Sequence, residues 1–331
     1  MTVLVTGGAG YIGSHMVWEL LDAGERVVVL DNLSKGFDWA VAPEGTLIEG
    51  DIANSDLVGS LMRDYGVDAV IHFAGSIVVP ESVADPLTYY QNNTCKTRTL
   101  IEAAVRHGVG HFIFSSTAAV YGGTGAEPVQ ENAPLEPESP YGRSKLMSEW
   151  MLRDAAAAHD LRYTALRYFN VAGADPKGRT GQSTPGATHL IKVACETALG
   201  KRPFMQVYGD DYETPDGTCV RDYIHVSDLA RAHRLALQRL REGGKSLIAN
   251  CGYGHGYSVL DVIAAVRRVF GQDFDVRKGP RRAGDAASVV ANSDLARHEF
   301  GWIPQRDDLD LIVTDALAWE RRLQTMNSAC N

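Results

Sequence analysis

Tyr141 and Lys145 stand four residues apart in the segment Ser139-Pro140-Tyr141-Gly142-Arg143-Ser144-Lys145 of a 331-residue chain. On a helix this spacing puts both side chains on one face, one turn apart. A tyrosine is a poor base at its ordinary pKa of about 10, and bringing it to neutrality takes about 3 pK units, or about 4 kcal/mol. One unit charge about 4 Å away supplies about that much at an effective dielectric of about 20. The Lys145 ammonium, together with a cationic nicotinamide ring, could therefore make Tyr141 a base without a metal. Thr117, at the end of Ser115-Ser116-Thr117, would offer a hydroxyl that carries a proton or orients a substrate oxygen. The ten histidines include no His-Glu-x-x-His or comparable spacing, so no metal site is expected.

A second constellation opens the chain. Thr6-Gly7-Gly8-Ala9-Gly10-Tyr11-Ile12-Gly13 has the form G-x-x-G-x-x-G between a first strand and a first helix. Glycines permit the tight turn and the close backbone approach that let a pyrophosphate rest on a helix N-terminus. Asp31 closes the second strand, where a carboxylate accepts from a ribose 2′-hydroxyl and repels a 2′-phosphate, so NAD is favoured over NADP even with Lys35 close by. Asp51-Ile52 and Phe73-Ala74-Gly75 end the next strands, at positions suited to adenine and nicotinamide-ribose contacts.

Elements that would position these groups follow from hydrophobic periodicity. Val3 to Thr6, Val27 to Leu30, Ala69 to Phe73, Phe112 to Ser115 and Tyr163 to Arg167 read as strands; Tyr11 to Ala23, Asp56 to Tyr65, Tyr89 to His107 and Ser139 to His159 read as helices. This alternation predicts an α/β fold: a doubly wound parallel (Rossmann) sheet with a smaller C-terminal α/β substrate domain. Glycine and proline become frequent through Ala172 to Gly186, a loop long enough to suggest a ligand lid. Helical stretches at Leu190 to Leu199, Val226 to Glu242, Val259 to Phe270 and Leu309 to Leu323 follow, with a strand at Met205 to Tyr208. The expected division is a dinucleotide part over 1–170 and a mainly substrate-binding part over 171–331. Residues near 220–255 would return to the first part, with Ile248 to Cys251 rejoining its sheet.

Composition narrows the partners. With 45% hydrophobic residues, 22% charged residues and 33 glycines the chain reads as globular. A net charge of −9 argues against nucleic acid. The first apolar stretch runs into glycines and no run of about 18 apolar residues occurs, so neither a signal peptide nor a membrane span is expected and the cytoplasm is the expected location. Cys95, Cys195, Cys219, Cys251 and Cys330 form no C-x-x-C pair and read as buried thiols in a reducing compartment. His72, His111, Trp150 and Trp302 read as core residues, and Arg267-Arg268 and Arg321-Arg322 as solvated helix faces.

Taken together, T-G-G-A-G-Y-I-G-S, the Asp31 strand end, F-S-S-T-A-A-V-Y-G, S-P-Y-G-R-S-K and R-Y-F-N-V-A-G-A resemble the extended short-chain dehydrogenase/reductase superfamily. Val220 to Ala230 (V-R-D-Y-I-H-V-S-D-L-A) and Arg281 to Asp285 (R-R-A-G-D) resemble, within it, the UDP-glucose 4-epimerases, and the resemblance runs from Thr2 to about Trp319. It implies interconversion of UDP-glucose and UDP-galactose through a 4-keto intermediate with tightly bound NAD. Tyr141 would take the 4-hydroxyl proton while C4 gives a hydride to NAD, and the hydride would return to the other face. The resemblance implies cofactor contacts from Gly7, Gly10, Tyr11, Ile12, Gly13, Asp31, Asn32, Asp51, Ile52, Phe73, Ala74, Gly75, Asn92, Ser115, Tyr141, Lys145 and Tyr168. For the substrate it implies Thr117, Tyr141, Phe169, Asn170, His189, Leu190, Gln206, Val207 and Tyr208, with Arg221 and Arg282 on the diphosphate, Asp285 on the uridine ribose and Val289 beside the sugar. A homodimer through a bundle of the Tyr89 to His107 and Ser139 to His159 helices is implied as well.

Four residues depart from related patterns. Ala118 and Ala119 stand where dehydratases of the superfamily carry an acid, and an alanine cannot protonate a leaving hydroxyl. Ile77 replaces a lysine that many members place near the cofactor. Val289 replaces a bulky tyrosine of some members, which leaves room for an N-acetylated sugar. The alternatives are a 4-epimerase of UDP-N-acetylglucosamine, UDP-xylose or UDP-glucuronate, an NAD-dependent sugar-nucleotide dehydrogenase or dehydratase, and a non-catalytic NAD-binding regulator; the last usually lacks the tyrosine or lysine that this chain keeps.

Overall fold

Seven short apolar runs pair side by side, all parallel, in the computed structural model, which describes residues 1–123, 127–282 and 285–329. In chain order the first half comprises β1 (Thr2–Thr6), α1 (Tyr11–Asp22), β2 (Arg26–Asp31), β3 (Thr46–Glu49), α2 (Ser55–Asp64), β4 (Ala69–His72), α3 (Val79–Ala84), α4 (Pro86–Tyr89), α5 (Lys96–Arg106), β5 (His111–Thr117), α6 (Pro140–Ala158) and β6 (Arg162–Tyr168). There follow β7 (Asn170–Ala172), α7 (Leu190–Ala198), β8 (Met205–Tyr208), β9 (Val220–Arg221), β10 (Tyr223–His225), α8 (Val226–Arg241), β11 (Leu247–Cys251), β12 (Tyr257–Ser258), α9 (Val259–Phe270), β13 (Val276–Gly279), β14 (Ser288–Val289), α10 (Asp294–Phe300) and α11 (Leu309–Ala329).

The large sheet has the order β11-β6-β5-β4-β1-β2-β3. The order in which strands are added reverses between β1 and β4, which opens a crevice at their carboxyl ends, the place where doubly wound sheets take ligands. Burial on both faces follows from the period of two: Val3, Val5, Val29 and Ile71 pack with Met16, Val17 and Leu20 of α1 and Leu229 of α8, while Leu4, Val28, Val70 and Phe112 pack with Val58 of α2 and Leu100 of α5. Each such fully buried side chain contributes about 1.5–3 kcal/mol of transfer free energy. The later segments form small sheets, β10-β7, β12-β9-β14 and β13-β8. Segment Leu247–Cys251 lies at the edge of the large sheet, parallel to β6.

Several expectations change. The continuous helix read over Tyr89 to His107 is α4, a π-helical segment Tyr90–Cys95, and α5. Strand β3 was not read from the sequence at all. The segment from Ala172 to Gly186 is tied down instead of free: Tyr11 donates to the Gly173 carbonyl (2.7 Å), the hydroxyls of Ser14 and Thr180 are 2.7 Å apart, and Arg179 joins Asp175 to Asp22 of α1. A Cβ on Gly181 would lie 2.4 Å from the Trp319 ring, so α11 covers the loop closely. Cys95 is exposed, whereas Cys195, Cys219 and Cys251 are buried thiols; Cys330 lies outside the described residues. Trp150 is 46% exposed and is no core residue, while Trp302 and His72 are buried. Arg267 and Arg268 pair with Asp273 and Asp310 on an exposed face. Among the described residues no helix is long and apolar enough to cross a membrane.

Candidate active site

The turn from β1 into α1 forms one wall of the crevice. Gly7 adopts φ +72°, and a Cβ there would lie 2.6 Å from the Ala74 nitrogen; on Gly13 it would lie 2.1 Å from the Gly7 carbonyl. The backbone of 7–13 and of 73–75 thus approach so closely that only glycine fits at these places. No side chain caps α1 and its first turn carries no acid, which leaves its first N–H groups and the positive end of the dipole for an anion. Asp31 is buried at the end of β2, its carboxylate accepting from Ala9 N and Leu33 N at 2.9 Å each. These two backbone bonds aim the carboxylate across the turn. A glycine cradle, an uncapped helix start and an oriented carboxylate fit a dinucleotide: pyrophosphate on α1, ribose hydroxyls on Asp31.

Farther along, Asp51 accepts from Lys96 (2.6 Å) and from Asn32 (3.4 Å), and Ile52 is buried beside it. Burial pushes the Asp51 carboxyl up, but the Lys96 ammonium outweighs this and holds it below the usual range. Asn92, on the π-helical segment, donates to Ser76 Oγ (2.7 Å). The Phe73 ring lies 4.9 Å from that of His233, and the hydroxyls of Ser115 and Tyr168 share a short hydrogen bond. Ile77 is 54% exposed.

Helix α6 starts at Pro140 behind a Ser139 N-cap that accepts from Gly142 N (3.1 Å), an arrangement that fixes Tyr141 in the first turn. Tyr141 and Lys145 are both buried on its inner face. Tyr141 shares a hydrogen bond with the Thr117 side chain at the end of β5. Lys145 Nζ donates to the Ser115 carbonyl (3.0 Å) and stands 5.1 Å from the centre of the Phe114 ring. Burial dominates both groups: it pushes the Tyr141 phenol above its ordinary pKa of 10, with Thr117 pulling the other way, and lowers Lys145 to about 8. Near neutrality the Lys145 ammonium is therefore still largely charged, and it faces a phenol that burial keeps protonated. A nicotinamide ring, the second positive group of the sequence argument, would add to that ammonium in favouring the phenolate.

The substrate candidates lie on the later elements of the chain. Phe169 is buried and Asn170 exposed at the turn from β6 to β7. His189 and Leu190 begin α7, where His189 Nδ1 meets Gln182 Nε2 at 2.8 Å. A cavity is lined by Asn170, His189, Leu190, Lys192, Trp319 and Glu320 among others. Gln206, Val207 and Tyr208 lie on β8, and the Arg282 guanidinium stacks 4.7 Å above the Tyr208 ring. Arg282 and Asp285 pair with each other at 2.9 Å; Ala283 and Gly284, between them in the sequence motif, lie outside the described residues. Arg221 is aligned with Val289 across β9 and β14. Val289 packs in one small core with Phe169, Val120, Tyr121 and Leu146 of α6, which brings the sugar-side candidate against the helix that carries Tyr141.

Sequence reasoning missed a buried polar group at this point. Glu149, one turn past Lys145, accepts from Ser116 Oγ (2.5 Å) and from two nitrogens of Arg167. Lys192 and Glu320 form a second buried ion pair in the wall of the cavity, joined by the half-buried Glu196 and the exposed Lys201. The recurrence 141, 145, 149 was the available signal for the first; in the second, Lys192 and Glu196 stand one helical turn apart, but their partner Glu320 is more than a hundred positions away.

The profile of the NAD dependent epimerase/dehydratase family matches residues 3–252. The chain belongs to this family. A UDP-glucose 4-epimerase of Azospirillum brasilense is 58% identical over 322 residues, covering 97% of this chain and 92% of that one. One from Lacticaseibacillus casei is 47% identical, covering 96% of each chain. Among solved structures, a UDP-glucose 4-epimerase from Brucella ovis in complex with NAD superposes with a TM-score of 0.93 at 46% identity, covering 96% of this chain and 97% of that one. The UDP-Glc/GlcNAc 4-epimerase of Campylobacter jejuni gives a TM-score of 0.85 at 48% identity, covering 97% and 99%. This chain is an NAD-dependent epimerase, and its glycine cradle and oriented Asp31 are the local reason that the dinucleotide fits.

Proposed function

We propose that this epimerase interconverts UDP-glucose and UDP-galactose by oxidising C4 of the hexose and reducing it again from the opposite face, with Tyr141 as the base. The observation that carries the reading is the buried Tyr141 phenol, hydrogen-bonded to Thr117 and one helical turn from the Lys145 ammonium. NAD, held by the glycine turn and Asp31, would supply the reversible two-electron oxidation at C4. Tyr141 Oη receives the 4-hydroxyl proton as C4 becomes a carbonyl, and returns it when the carbonyl is reduced. Thr117 orients the sugar oxygen toward Tyr141, and Lys145 stabilises the ionised phenol. The reaction is redox-neutral overall, so the dinucleotide can stay in place through turnover.

For the ketosugar to present its other face, the UDP group must be held while the hexose turns. Arg221 and Arg282 suit a diphosphate because a guanidinium binds it through two parallel N–H donors. Asp285, Asn170, His189, Leu190 and β8 complete this grip, which divides the labour between a dinucleotide part before about residue 170 and a UDP-sugar part after it. Binding of the diphosphate draws Arg282 from its pairing with Asp285, which frees the carboxylate for the ribose.

A mass-resolved product assay on UDP-glucose tests the reading. UDP-galactose should form without free NADH, and Tyr141→Phe should remove nearly all of the activity. One NADH released per turnover, or activity of Tyr141→Phe near that of the unaltered enzyme, overturns it. Val289 supports a second substrate, UDP-N-acetylglucosamine: its half-buried side chain is small where a tyrosine would fill the pocket.

The enzyme also pairs with a second copy through its helices, acting in the cytoplasm. Val83 (64% exposed), Leu87 (77%) and Trp150 (46%) support the pairing, because they lie on α3, α4 and α6, which pack together. Light scattering across a range of concentrations checks it: a monomer at micromolar protein refutes it.

A further inference from the structure

Tyr141, Lys145 and Glu149 recur every four residues on one face of α6, and each meets one of three successive residues at the end of β5. Tyr141 is bonded to the Thr117 side chain, Lys145 to the Ser115 carbonyl at 3.0 Å, and Glu149 to Ser116 Oγ at 2.5 Å. The first two contacts belong to the reacting centre; the third faces away from it. Glu149 and Arg167 are 1% and 2% exposed. Arg167 Nε donates to Glu149 Oε1 (2.9 Å) and Nη2 to Oε2 (2.6 Å), so the fork is bidentate. Arg167 stands directly opposite Ser116 in the β5–β6 register. Its Nη1 donates to Tyr121 Oη (3.0 Å) and to the Glu131 carbonyl (3.2 Å), and Tyr121 in turn donates to Asn250 Oδ1 (2.6 Å).

Stability alone does not account for this group, since a buried ion pair is often replaceable by apolar side chains of equal volume with no loss of stability. A bidentate fork does what apolar packing cannot: it fixes direction and height as well as contact. A helix resting on Leu and Ala can slide or roll by a fraction of an ångström; one pinned through Glu149 to adjacent strands cannot. We infer that the Glu149–Arg167 pair is a positioning device for catalysis, which sets the register of α6 along β5 and thereby the meeting of Tyr141 with Thr117. Both carboxylate oxygens of Glu149 are engaged by Ser116 and Arg167. Misplacement of a reacting group by about 1 Å costs on the order of a hundredfold in rate, so loss of the pair shows in kcat before it shows in binding. The inference rests on Tyr141 as the base, and Tyr141→Phe assayed in parallel separates the two: an active Tyr141→Phe enzyme removes that reading whatever Glu149 does.

The test uses the holoenzyme with Glu149→Gln and with the double variant Glu149→Leu/Arg167→Met. The double variant should keep its melting temperature and NAD content, yet lose at least tenfold in kcat, with KM for UDP-glucose within threefold and the acid limb of the kcat–pH profile displaced. Glu149→Gln keeps an oxygen for Ser116, should fold even where the double variant does not, and should show the same pattern to a smaller degree. If kcat of either folded variant stays within twofold of the unaltered enzyme, or if kcat falls only in proportion to lost NAD, the inference fails.

Discussion

Replacing Lys145 by methionine removes the ammonium while keeping the length of the buried side chain. Residues one helical turn apart stand about 5–6 Å apart, and at that distance a unit charge stabilises a phenolate by about 3 kcal/mol for an effective dielectric of about 20. This corresponds to about 2 pK units. In the Lys145→Met enzyme Tyr141 should therefore ionise about 2 units higher, and kcat near pH 7 should fall about a hundredfold. The assay is kcat from pH 6 to 9.5 on holoenzyme of verified NAD content. Burial lowers Lys145 to about 8; its charge is fully present below that pH and is lost above it. The two profiles should accordingly lie farthest apart below about pH 7 and converge at alkaline pH. A Lys145→Met enzyme whose deficit is the same at pH 6.5 and pH 9 would refute the electrostatic account and leave Lys145 a purely structural role on the Ser115 carbonyl.

Gly13→Ala should yield enzyme without bound NAD, because the new Cβ falls 2.1 Å from the Gly7 carbonyl; dinucleotide recovered at normal stoichiometry after denaturation would contradict the cradle. Val289→Tyr should cut turnover of UDP-N-acetylglucosamine at least tenfold and leave that of UDP-glucose within threefold, read from the same product assay; equal loss on both sugars would place Val289 away from the N-acetyl group. His72, His15 and His233 are held neutral by burial, with pKa values near 3, 4 and 4. Between about pH 6.5 and 4 the unfolded chain binds these protons and the folded one does not, so stability falls with pH by about 1.4 kcal/mol per unit for each histidine. Urea midpoints should drop steeply from pH 7 to 5; a flat midpoint would count against this.

The parts of the fold that could be read in advance are those whose signal is local. Strands β1, β2, β4 and β5 are buried on both faces and therefore appear as runs of Val, Ile and Phe, and the glycine turn and Tyr141–Lys145 spacing are short-range patterns. Strand β3 was not legible because Thr-Leu-Ile-Glu is an edge strand with both ends exposed, too short for a period. The π-helical turn at Tyr90–Cys95 keeps its neighbours helical, so periodicity runs through it unbroken to the eye. Trp150 was read as core from its type, though it lies on the solvent side of α6. The charged residues were hardest: Glu149 and Arg167 look like ordinary solvated charges until β5, β6 and α6 bring them together. The same holds for the relative order of the Lys145 and Tyr141 ionisations, which depends on burial and not on spacing.

Helix α11 stands at the far end of the chain from the glycine turn, yet Trp319 stacks on Trp39 of the β2–β3 connection and Glu320 anchors Lys192 and Lys201 beside the cavity at the start of α7. During synthesis the N-terminal elements emerge first and domains fold as they appear. The large sheet is complete only once β11 (Leu247–Cys251) has joined β6, and α11 follows that strand by nearly sixty residues. The last helix thus ties an early loop to α7, so a truncation at the C-terminus would be felt at both.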